Sequence, residues 1–215
     1  MQSSEATTPA APVFGEPTPL GLLGLAIGCA ALTPVAFGML PKEPAAIAMT
    51  LKTAAWFCLL FGAGCQFLAG VMSLANKNTL GGTLLTTFSF NWVMNWWVLD
   101  QLSQGKIPDP MVGLSVDFAF IVIFVVLTYA FGFFSKLLFV FLLDIDLLYL
   151  LRIARHFVPS AGPTLAFGVG LATIALGGIA LYIALGILLN GAAGRAILPM
   201  GGPLFKPQVP AASMG

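Results

Sequence analysis

Charge is what this chain has least of. Among 215 residues there are 9 Lys+Arg, 8 Asp+Glu and 1 His, so 8% of the chain is charged against 59% hydrophobic. A soluble domain carries about a quarter charged residues. With a mean hydropathy of +0.98, the composition excludes an ordinary soluble fold and points to an integral membrane protein held among lipids. The net charge of +1 leaves no basic field for nucleic acid. The one histidine, His156, sits at the end of an apolar run beside Arg155. No His/Asp/Glu ligand cluster and no nucleophile constellation appears, so nothing in the sequence indicates an enzyme, a metal or a cofactor. Cys29, Cys58 and Cys65 all lie in apolar segments without metal-type spacing. An odd number of cysteines in lipid argues against a disulfide framework and leaves them as small packing residues. The first 15 residues, MQSSEATTPAAPVFG, lack the basic region of a signal peptide and read as a flexible tail, as do residues 200–215. Residues 16–199 form the membrane domain.

A span needs about 20 mainly apolar residues. Six such segments are predicted: Leu20–Leu40; Thr53–Ala75, after an amphipathic lead-in over Glu43–Lys52; Leu80–Leu99; Val112–Phe134; Lys136–Arg155; and Leu165–Leu189. Backbone groups in hydrocarbon must pair within the segment and nothing alternates like a barrel strand, so the fold class is all-α with six transmembrane helices. Only a short turn separates spans four and five, which predicts an antiparallel hairpin. Six spans put both termini on one side, and lysine and arginine are too evenly divided to say which. Gly21, Gly24 and Gly28 lie along one side of span one, where small residues let helices approach closely.

Span three carries the most polar groups. Thr83, Thr87, Asn91 and Asn95 recur every four residues with Thr86 beside them, making a slowly drifting stripe. The stripe is either helix-to-helix glue or the wall of a pathway. Thr79 is the predicted N-cap, and the NKNT run with Asn78 would present free N–H groups to an anion. Span five holds Asp144 and Asp146, although an aspartate at a helix centre in lipid costs about 2.5–3.5 kcal/mol. Two residues apart is about 200° around a helix, so the two cannot share a face. Asp144 and Arg155 do share one, but about 16 Å apart along the axis. Each acid is a buried structural group, a proton carrier or part of a cation site.

Four stretches resemble the acetate uptake transporter family. EPTPLGL at Glu16–Leu22 is similar to its N-P-[AG]-P-L-G-L signature. GCQFLAGVMSLANKNTLGGTLLTTFSFNW resembles its span two–three segment, ALYIALGILLN its last helix and GRAILPMG its terminal G-R-x-x-L-P-x-G. The matches are collinear from Glu16 to Gly201. The resemblance implies a homohexamer of six-helix protomers, each with its own pathway, and cytoplasmic termini in the plasma membrane. It implies acetate, or succinate, moving with protons. It also implies a hydrophobic constriction on spans one, three and five, which falls by counting on Leu25, Phe88 and Asp144. Glu16 stands where the signature has Asn, and Ile187 where relatives carry Glu.

The expected function is proton-coupled transport of a small carboxylate. Asn78, Thr79, Thr83, Thr86, Thr87 and Asn91 would bind or guide the anion. Leu25 and Phe88 would narrow the path, Asp144 would exchange the proton, and Gly21, Gly24, Gly28 and Asp146 would pack helices or subunits. An ionised acid at the constriction would disfavour anions by about 1–4 kcal/mol at 4 Å. A passive channel for a small neutral or cationic solute is therefore a second reading. A structural subunit of a larger membrane complex is a third.

Overall fold

The computed structural model describes residues 11–206. Six long helices run up and down: α1 Thr18–Ala36, α2 Pro44–Ala75, α3 Thr79–Ser103, α4 Pro110–Phe131, α5 Lys136–Phe157 and α6 Gly162–Ala193. Four of them, α1, α2, α4 and α6, are long and apolar enough by themselves to cross a membrane. The other two, α3 and α5, carry the polar stripe and the two acids of span five. The chain is an all-α integral membrane protein.

The sequence marks the helix boundaries. Proline stands in the first turn of α1, α2, α4 and α6, where its missing N–H would be unpaired anyway. Asp109 accepts the Met111 and Val112 N–H groups to cap α4, and Ser135 accepts the Leu137 N–H to cap α5. At α3 the cap is Asn78 and not the expected Thr79: Asn78 Oδ1 accepts the Gly81 N–H at 3.0 Å. Asparagine is at least as good an N-cap as threonine and already occupies the half-in position.

The amphipathic lead-in before span two is not a separate element. It is the first part of α2, because nothing between Pro44 and Ala75 breaks a helix. Within α2, Cys58–Cys65 is a π-helical stretch, a widened turn of the kind that often accompanies close packing or function. It faces Gly24 of α1, where a Cβ would collide with Cys65 Cβ and with the Phe61 carbonyl oxygen. Gly28 and Gly62 both receive the ring of Trp92 from α3, and Gly177 of α6 receives Cys29 of α1. Helix α1 is thus the central post, packed on α6 and on the π segment of α2. Among the described residues, α3 and α5 have little direct backbone packing on each other, and the space between them is where the interior opens.

Both ends of the described chain are tied to one end of the bundle. Phe14 exchanges hydrogen bonds with the Asn76 amide at the α2–α3 turn. After α6 the chain turns back: Asn190 Oδ1 accepts the Ile197 and Leu198 N–H groups, and the Tyr182 hydroxyl donates to Pro199 O. The segment then straps the α4–α5 turn. Ser135 Oγ donates to Met200 O, the Lys136 N–H to Gly202 O, and the Leu204 and Phe205 N–H groups both donate to Gly132 O. Phe205 seats its ring over Gly132 among Tyr129, Phe133 and Phe139. The tail expected to be flexible from residue 200 is therefore docked as far as Phe205, since the Phe205 ring has an aromatic notch to fill. Residues 1–10 and 207–215 of the two expected tails lie outside the described residues.

Candidate functional site

Two cavities enter the bundle from opposite ends. The first, about 150 Å³, lies toward the chain termini and is lined by Thr18, Leu22, Gln66, Asn78, Leu84 and Phe141 among others. The second, about 240 Å³, lies toward the far end and is lined by Asn91, Asn95, Tyr149, Arg152, Arg155 and Thr173 among others. Phe88 borders both. Its ring is 5% exposed and is held edge-on by Trp92 and Phe124, with centroids 6.2 and 5.2 Å away. Leu25, from α1, is fully buried. The barrier between the cavities is therefore apolar and aromatic.

Of the polar residues expected to guide an anion, Asn78 lines the first cavity and Asn91 the second. Thr79, Thr83, Thr86 and Thr87 line neither. A four-residue repeat drifts about 40° per step on a 3.6-residue helix. The stripe therefore starts outside the bundle at the exposed Thr83 and reaches the interior only at Asn91 and Asn95. Thr86 is packed against Gly70 of α2, with its hydroxyl buried and without a partner among the described residues.

Asp144 also lines neither cavity. The face of α5 that does so runs through Leu138, Phe141, Ile145, Leu148 and Arg152, and Asp144 is about 100° around from Ile145. Counting along the motifs puts Asp144 at the constriction position, while its side chain lies off the faces of both cavities. One oxygen of Asp144 is sealed from solvent with no hydrogen-bond partner among the described residues. Asp146 is buried at 5% exposure and accepts the Thr128 hydroxyl of α4 at 2.7 Å. Gly21, Gly24 and Gly28 meet Ala69 and Leu85, the π segment of α2, and Trp92, respectively.

Thr128→Val should therefore destabilise the α4–α5 pair. It keeps the shape and strips a buried carboxylate of its donor, at about 1–3 kcal/mol. The expected result is a lower Tm in detergent for Thr128→Val and a smaller loss for Thr128→Ser. Equal Tm values for all three proteins would show that the bond contributes nothing.

Sequence reasoning missed an ion pair. Arg152 Nη2 lies 2.9 Å from Asp117 Oδ1 of α4, with the Arg152 Cζ 5.5 Å from the centre of the Tyr149 ring. The signal was present, because Asp117 is the sole charge in a 22-residue apolar helix and such an acid needs a partner.

Comparison with known proteins places this architecture. The solved structure of the bacterial acetate channel SatP superimposes with a TM-score of 0.75 at 20% identity, covering 87% of this chain and 99% of that one. The chain has the SatP fold. That solved protein is described as an acetate channel. By sequence, the chain is 30% identical over 92 residues to the glyoxylate pathway regulator of Yarrowia lipolytica (strain CLIB 122 / E 150), a match covering 43% of this chain and 32% of that protein. No protein-family model matches the sequence.

Proposed function

We propose that the chain is a member of the acetate uptake transporter family and moves small carboxylates, acetate first among them, across the membrane. The observation that carries this is the pair of cavities approaching from opposite ends and separated by the Phe88 ring. A path through a bundle with a narrow apolar waist is what a small-solute pathway requires. The SatP fold and the four collinear motifs support the same reading. The far cavity presents two asparagine amides and two guanidinium groups, which suits an anion and disfavours a cation. Neither Asp144 nor Asp146 borders either cavity, so neither acid is placed to attract a cation there.

Coupling to protons is part of the proposal, in a form the lining suggests. Among the described residues, no aspartate, glutamate or histidine borders these two cavities. A proton would then cross on the substrate as the neutral acid, with Asp144 outside the route. A ring of six protomers with cytoplasmic termini belongs to the same reading.

The test is acetate uptake into proteoliposomes of purified protein with and without an inward proton gradient. Accumulation above equilibrium that persists in Asp144→Asn supports a symporter with the proton on the substrate. Abolished accumulation in that variant would return the proton to Asp144. Equilibration without accumulation would make the protein a channel, and no carboxylate flux from well-folded protein would overturn the proposal.

A further inference from the structure

We infer that Arg152 determines the charge of what enters the far cavity, and that Asp117 is the residue that positions it. The inference rests on the transport reading above and assigns the selectivity of that same path. Arg152 borders the far, inner cavity and also two outer clefts, about 390 and 400 Å³, one reaching Arg155 and His156 and the other Met94 and Trp97, with Asp109 and Asp117 on both. The guanidinium therefore stands where the outer clefts meet the cavity that ends at Phe88.

The two partners of the ion pair are unequally placed. The Asp117 side chain is 6% exposed and that of Arg152 34%. The carboxylate is the buried anchor and the guanidinium is the face presented to the opening. Guanidinium carries five N–H donors in a rigid fork and stays charged at any accessible pH. Among the described residues, Asp117 engages Nη2 and is the one ionic partner of this side chain. Donors remain for a second carboxylate, bound while the first holds the fork in place. The Tyr149 ring beneath Cζ fixes the group from the other side.

The charges on the inner cavity favour an anion, since Arg152 and Arg155 line it and no acid does. Arg155 lines both the inner cavity and the outer cleft. Asp109, which with Asp117 lines both outer clefts, already accepts two backbone N–H groups at the start of α4, where the helix dipole offsets its charge. A pair serving only to neutralise a buried acid would have no need of a third-exposed guanidinium at the junction of three cavities. That simpler role also predicts something different: its loss should affect every solute alike.

The experiment compares acetate with acetamide, an uncharged molecule of nearly the same shape, as initial influx into proteoliposomes of the full chain. Arg152→Gln should lower acetate flux at least tenfold relative to acetamide, and Arg152→Lys should keep part of the preference. The double variant Asp117→Asn/Arg152→Gln leaves no unpaired buried charge, so it should fold and still lose the preference. Asp117→Asn alone should raise the acetate concentration for half-maximal flux several-fold, with less effect on the maximal rate. Acetate and acetamide fluxes falling by one common factor in Arg152→Gln and the double variant would overturn the inference. Should the wild-type protein carry no acetate at all, the transport reading fails by itself. Binding of ¹³C-acetate to the solubilised protein then decides the site: binding lost in the double variant upholds it, and no binding to wild type overturns it.

Discussion

Phe88→Ala is expected to join the two cavities into one lumen and to admit solutes that the wild-type protein excludes. Phe88 is the residue common to both linings, and its ring is locked by Trp92 and Phe124 so that it cannot swing aside at low cost. Truncating a packed phenylalanine costs about 3–5 kcal/mol in a soluble core, mainly through the void left behind. Here the void opens onto space already present on both sides. The loss should therefore appear more in the barrier than in the fold. Lactate influx relative to acetate is expected to rise at least tenfold in Phe88→Ala and to change little in Phe88→Leu, which keeps an apolar plug of similar bulk. If lactate and acetate keep their wild-type ratio in Phe88→Ala, the barrier lies elsewhere, with Leu25 the next residue to test.

The second large effect concerns assembly of the bundle. Gly24→Leu is expected to abolish recovery of folded protein. The first side-chain atom would overlap Cys65 Cβ and the Phe61 carbonyl oxygen. One of these is backbone and the other is bonded to it, so no rotamer change relieves the contact. Overpacking in a core that can adjust costs about 1–3 kcal/mol. Here α1 would have to leave α2, and with it the seat of Trp92 between Gly28 and Gly62. Gly178→Ala is the control, since nothing lies within 4 Å of a Cβ there. A monodisperse size-exclusion peak at wild-type yield is expected for Gly178→Ala and not for Gly24→Leu. Normal yields from both would mean that α1 and α2 are not packed as described.

Much of this architecture is legible in the sequence. Apolar runs bounded by Pro, Asn, Asp and Ser locate six helices, because a helix in lipid must be apolar along most of its length and capped where it meets water. The π stretch at Cys58–Cys65 leaves no comparable mark, since Cys-Leu-Leu-Phe-Gly-Ala-Gly-Cys satisfies an α-helix equally well. The candidate site divides in the same way. Phe88 and Asn91 follow from motif position and polarity. Asp144 does not, because one residue of helix rotates a side chain by about 100° and composition says nothing about which neighbour it meets. The Asp117–Arg152 pair joins two helices at matching distances from the Gly132–Ser135 turn. An acid deep in an apolar span on one arm of a hairpin and an arginine at the same depth on the other is a readable signal.

The strap after α6 also bears on the order in which the molecule is built. Ser135 waits for Met200, sixty-five positions later, and the Gly132 carbonyl waits for Leu204 and Phe205. During synthesis the α4–α5 hairpin can insert early, because its own helices satisfy nearly all of its backbone. The aromatic notch at its turn must stay open until α6 has crossed and the chain has doubled back. Closure of that notch is therefore a late assembly event, and a chain truncated before Pro203 would enter the membrane with all six helices and an unsealed turn.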